Sequence, residues 1–161
     1  LKKAAQRNAW SGVERHYARA LATGAKVSAE DHVIAASASK HIGDVGSMRD
    51  RLLAAVTMDP TDKDVIAQIQ GLDATYARVT LKAEVGSVLE DYERPFDPLK
   101  LKAVDFAIAT MKEKGTFVGL LPPGPYALDA DPFELSAGQV FTLDLSPPAP
   151  PPPPPVPVWK R

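Results

Sequence analysis

Residues Ala29–Asp62 read AEDHVIAASASKHIGDVGSMRDRLLAAVTMDPTD, and this stretch decides the fold. Ser28, just before it, is placed to cap a helix, with Asp31 three residues on in the capping-box position. Val33, Ile34, Ala36, Ser37, Ala38 and Ile42 then form a narrow stripe of mainly small side chains, which suits the close approach of a second helix better than a bulky core. Gly43-Asp44 interrupts the pattern. Val45, Met48, Leu52, Ala55 and Val56 repeat the stripe until Asp59-Pro60 ends it, because proline lacks the N–H and disfavours helix in the residue before it. The spacing predicts two antiparallel helices joined by a tight turn.

Upstream, Trp10, Val13, Tyr17, Ala20 and Leu21 fall on one face of a helix expected over Lys2 to Thr23 and stopped by Gly24. Downstream, Asp62 is placed to cap a longer helix carrying Val65, Ile69, Leu72, Tyr76 and Val79. That helix is expected to run to about Tyr92 through Val85, Val88 and Leu89, with a bend or break at Gly86. Asp97-Pro98 opens another helix with Leu101, Val104, Ile108 and Met111 inward, and Gly115 terminates it. Past Gly115 the period changes to alternation. Phe117 to Leu121, Tyr126 to Leu128, Phe133 to Leu135 and Val140 to Leu145 read as four short strands separated by turn formers. Four such strands bury little alone, so the preceding helices are expected to cover them.

Nine of the sixteen prolines lie between Pro147 and Pro157. That segment reads as a polyproline II rod of about 35 Å at ~3.1 Å per residue. The expected class is therefore α+β. Residues 1–93 form a helical array with an end helix, 94–146 a helix plus a small antiparallel β module, and 147–161 a proline-rich tail.

The totals bound the function. Nineteen basic against twenty acidic side chains give a net charge of −1. No global field draws this chain to nucleic acid, and charge-driven binding has to be local. No apolar run approaches the roughly 20 residues that cross a bilayer, and zero cysteines exclude disulfides and thiol chemistry. A chain that starts at Leu1 is expected to have had sequence before it, where a signal or anchor would lie.

The length of Ala29–Asp62, 34 residues, is the period of the tetratricopeptide repeat. In that register Ala35-Ala36 stand at the helix crossing, Gly43-Asp44 at the turn, Met48 at the small-residue position, and Leu52, Ala55 and Pro60 at the packing and closing places. His32 and Ser39 replace the usual Trp and Tyr. The stretch resembles one complete repeat, and the resemblance extends over about residues 2–82. It implies antiparallel helical hairpins whose first helices line a concave groove for a protein partner. Glu30, Val33, Ser37, Lys40 and His41 would face that groove. The Lys and Asn set with which related domains clamp a C-terminal carboxylate is missing. A second, shorter motif, Leu120-Leu121-Pro122-Pro123-Gly124-Pro125-Tyr126 followed by Phe133, Leu135 and Gly138, is similar to the end of PEGA-type and carboxypeptidase-regulatory-like β modules. That likeness covers about residues 116–145 and favours a bacterial cell envelope or periplasm over the cytoplasm.

Catalysis finds no candidate in the sequence. His16, His32 and His41 lack metal-ligand spacing and read as surface or groove side chains. Glu90, Asp91 and Glu93 read as a solvated acidic face at a helix end. Gly115 to Gly119 lacks the Gly-Lys-Ser/Thr ending of a phosphate loop. No cofactor or metal is expected. The tail has two readings. A pre-ordered rod offers Pro150, Pro154 and Pro157 to an aromatic groove, with Trp159 and Lys160 as anchor and charge; a spacer merely holds the C-terminus away from the fold. The expected function is a non-enzymatic scaffold or assembly subunit that binds a neighbouring protein through the helical groove, the tail, or both. The alternative is an envelope- or carbohydrate-associated module in which the β part is the binder.

Overall fold

The computed structural model describes residues 1–147. The chain is α+β, with six helices and two three-stranded sheets among the described residues. The helices are α1 (Lys2–Gln6), α2 (Trp10–Ala22), α3 (Ala29–Ile42), α4 (Val45–Met58), α5 (Lys63–Thr75) and α6 (Pro98–Lys114). The helix expected over Lys2 to Thr23 is two. Asn8 takes a positive φ of 53° between α1 and α2, a conformation that Asn tolerates better than most residues.

The caps fall where side-chain chemistry puts them. Ser28 and Asp31 close a capping box on α3, and Asp44, Asp62 and Asp97 accept backbone N–H groups at the starts of α4, α5 and α6. Gly43 and Gly115 end α3 and α6 in the left-handed conformation. Ala35, Ala36 and Ala38 of α3 are buried, as are Val45, Met48, Leu52 and Ala55 of α4. Ile42, expected in the stripe, is instead exposed at the last position of α3, just before the Gly43 cap.

The helix expected from Asp62 to Tyr92 ends at Thr75, and the chain turns into strands. These are β1 (Ala77–Lys82), β2 (Leu89–Asp91), β3 (Thr116–Leu121), β4 (Gly124–Leu128), β5 (Asp131–Leu135) and β6 (Val140–Asp144). Ala77, Val79 and Leu81 are fully buried while Arg78 and Lys82 face solvent, the two-residue period of a strand. Tyr76 and Val79 are also three apart, so a run this short fits a helical stripe equally well. Gly86 is then a turn residue, at φ 96°, between β1 and β2.

Strand order is β3-β1-β6 in one sheet, β1 antiparallel to β3 and parallel to β6, and β2-β4-β5 in the other, antiparallel throughout. Their inner faces share a core of Val79, Leu81, Leu89, Phe117, Tyr126 and Leu128, with Val104, Ala107 and Met111 of α6 packed against it. Tyr126, Phe133 and Phe141 stack in succession, at 5.7 Å and 4.9 Å between ring centroids, and so tie one sheet to the other.

The helical core and the sheets are not separate. Leu120 of β3 and Ala103 of α6 are buried in the helical cluster with Met48, Leu52 and Leu72. The approach is close: a Cβ on Gly46 of α4 would stand 2.8 Å from the Cα of Gly119. Arg49 of α4 holds Asp73 of α5 through two hydrogen bonds, the second at 2.8 Å, and Arg78 of β1 lies 3.7 Å from the same carboxylate.

Candidate functional site

The residues expected to face a groove lie on one side of α3, and their places follow from what anchors the other side. Tyr17 of α2 and His32 of α3 share a buried hydrogen bond of 2.8 Å. Arg51 of α4 lies over the Tyr17 ring, donates to the Ala35 carbonyl at 2.7 Å and grips both oxygens of Glu14. Ser39 donates to the same carboxylate. His32 is therefore a core residue rather than a surface or groove one, which corrects the expectation from sequence. Burial is the main cause that lowers its proton affinity, and it raises the pKa of Tyr17 as well.

With that back face fixed, the front face of α3 borders two hollows. The first, about 360 Å³, takes in Glu30 and Val33 with Asp59, Asp62 and Val65. Its carboxylates have partners within the chain. Glu30 pairs with Lys2 at 2.6 Å, Asp59 accepts from Thr61, and Asp62 caps α5. Ser37 sits midway and donates its hydroxyl to the Val33 carbonyl at 3.1 Å.

The second hollow, about 560 Å³, lies between the C-terminal end of α3, α5 and the start of α6. Met48, Leu72 and Tyr76 floor it, and Lys40, Leu99 and Lys100 stand at its walls. A smaller hollow continues it past Pro98 to His41 and Lys102. The His41 ring stacks on Trp10 at 4.1 Å between centroids, and Lys102 reaches the His41 carbonyl at 3.3 Å. Among the described residues, no carboxylate lies within 4.0 Å of the Lys40, Lys100 or Lys102 amines. Asp97 is the one acid lining this hollow, and its carboxylate is turned to the Leu99 and Lys100 backbone N–H groups at 2.9 Å each. Burial, with help from Asp97, pushes the Tyr76 phenol up to about 12, so it stays protonated. Phe96, immediately before Asp97, is fully exposed.

The structure thus places Lys40 and His41 together at one end of the face and Glu30 and Val33 at the other. Sequence reasoning missed Tyr76, Phe96, Leu99, Lys100 and Lys102. Nothing local announces that α6 returns to α3, and that return depends on Gly43, where any Cβ would collide with the Lys102 carbonyl. A signal was present in Phe96, which occupies the position before a helix cap where an apolar residue usually folds back onto the first turn. Here it does not.

Glu90, Asp91 and Glu93 do not sit on a helix end. Asp91 lies in β2 with one buried oxygen lacking a partner, Glu90 and Glu93 are exposed, and Arg94 pairs with Asp105 instead. Among the described residues no cluster of three His, Asp or Glu side chains could hold a metal, and no helix is long and apolar enough to cross a membrane. The tail positions Pro150, Pro154, Pro157, Trp159 and Lys160 lie outside the described residues. Comparison of the chain with protein-family models, with curated proteins and with solved structures returns no match.

Proposed function

We propose that this protein is a non-enzymatic interaction module, built on tetratricopeptide-like hairpins, that holds a segment of a partner protein along the front face of α3. The observation that carries this reading is the groove itself. Lys40 and Lys100 stand at the walls of a hollow floored by Met48, Leu72 and Tyr76, Lys102 lines the smaller hollow that continues it, and among the described residues none of the three amines is ion-paired. An open apolar floor rimmed by polar groups is how surfaces that receive another chain are built. The groove lies on a helix whose opposite side is locked by the Glu14–Arg51 pair and the Tyr17–His32 bond, so the receiving face is pre-formed. Pre-formation lowers the ordering cost of binding. The proline tail is the second contact in this reading, and the β module supports the helices.

The test is an affinity capture from the native source with three baits: the full chain, a chain ending at Ser146, and a full chain carrying Lys40→Glu. A partner lost with Lys40→Glu and kept without the tail assigns recognition to the groove. A partner lost only with the tail moves recognition to residues 147–161. A partner kept by all three baits leaves the β module as the binder and refutes the groove.

A further inference from the structure

The charges around the groove go further than its shape, and the ligand class they select rests on the reading of that groove as the receiving site. The two ends of the α3 face are opposite in sign. At the Glu30 end, the acids are occupied by Lys2, Thr61 and the start of α5. At the Lys40 end, Lys40 and Lys100 line the larger hollow and Lys40 and Lys102 the smaller, and against these three cations stands one lining carboxylate, that of Asp97, which accepts the first N–H groups of α6. Like charges gathered on the wall of an apolar hollow repel one another. A ligand of opposite sign relieves that repulsion more than water does. Phe96 stands beside this end with its ring wholly in solvent and no role in the core.

We infer that the groove between α3, α5 and α6 takes an acidic peptide segment of another protein. An apolar side chain of that segment enters over Met48, Leu72 and Tyr76, its carboxylates meet Lys40, Lys100 and Lys102, and its flank closes against Phe96. The chain's own tail is the wrong ligand by charge. Residues 147–161 contain no acidic side chain and end in Lys160-Arg161. A second copy presenting its own cationic rim is disfavoured in the same way.

A display library of random peptides about twelve residues long, panned on the full chain, tests the assignment without presuming a sequence. Enrichment of Asp and Glu around a Leu, Ile or Phe is the expected result. Enrichment of basic or proline-rich peptides, or none, overturns it. The best acidic peptide is then labelled and titrated by fluorescence anisotropy. Its affinity should fall about tenfold or more between about 50 and 300 mM salt, and by a similar factor in Lys40→Glu/Lys100→Glu and in Phe96→Ala. All these side chains except that of Lys100 are largely exposed, so circular dichroism should confirm unchanged folding. Binding indifferent to these changes, or displaced by a synthetic peptide of residues 147–161, refutes the inference, as does dimerisation of the full chain that is abolished by Phe96→Ala. Should the capture experiment show Lys40-dependent recognition while no acidic peptide is enriched, the groove stands and only the ligand chemistry is wrong.

Discussion

Burial behind Tyr17 makes His32 a weaker base than a free imidazole, Arg51 pushes the same way, and Asp31 opposes both. An unfolded chain takes up that proton as pH falls through about 6.5, whereas the folded chain resists until lower pH. Between those two values the unfolded state binds more protons, so stability declines as pH falls and levels off below the folded value. The lowered carboxyls of Asp31, Asp59 and Asp73 act in a separate window, since their contribution is lost only below about 4. Thermal midpoints should therefore drop between about pH 7.5 and 5.5, and a His32→Gln chain should show a flatter profile there. Equal slopes in the two chains would remove His32 as the cause. A pair of glycines offers a second test at this scale. Gly24 and Gly43 both have positive φ, but only Gly43 faces another backbone, that of Lys102. Gly24→Ala should cost only the left-handed strain, about 1–2 kcal/mol. Gly43→Ala should cost clearly more, and equal costs in chemical denaturation would show that α6 does not bear on the turn.

Elements were legible wherever one period and one cap agreed. The α3–α4 turn at Gly43-Asp44, the start of α6 at Asp97-Pro98 and the four strands after Gly115 can all be read from the sequence, because cap chemistry and alternation act within a few residues. β1 could not be read this way. Tyr76 to Lys82 satisfies both periods, and its strand identity is settled by β3 and β6, which lie far along the chain. The lining of the hollows beside α3 was partly legible for the same reason. Lys40 and His41 were named from the tetratricopeptide resemblance, whereas Tyr76, Leu99, Lys100 and Lys102, which line the same hollows, belong to elements that only tertiary packing brings there. The α4–β3 contact makes a prediction about elements. Gly46→Ala gains up to about 1 kcal/mol in helix propensity, less in the first turn, and drives a methyl group against Gly119. Overpacking at such a contact costs about 1–3 kcal/mol, so net destabilisation is expected in urea melts, and a stabilised variant would show that α4 and β3 separate freely.

At the scale of the molecule, the helical core and the sheet core share β3 and α6, and Asp73 ties α4, α5 and β1 at one carboxylate. Unfolding should accordingly be a single transition. Far-UV ellipticity, which follows the helices, and near-UV ellipticity of the Tyr126–Phe133–Phe141 stack should fall along one curve in denaturant. Two separated curves would make the halves independent units. The parallel placement of β6 beside β1 has a consequence for biosynthesis. Every helix contact and the β1–β3 pairing become available before residues 140–144 have been made, yet the middle strand of its sheet still lacks a neighbour, and Phe133 lacks the ring that completes its stack. A nascent chain thus carries an open, apolar strand edge until residues 140–144 have emerged, the stage at which strand edges recruit other chains. A stop codon or a proteolytic nick just ahead of Val140 would freeze the protein in that state, leaving a product with intact hairpins that the cell has every reason to degrade.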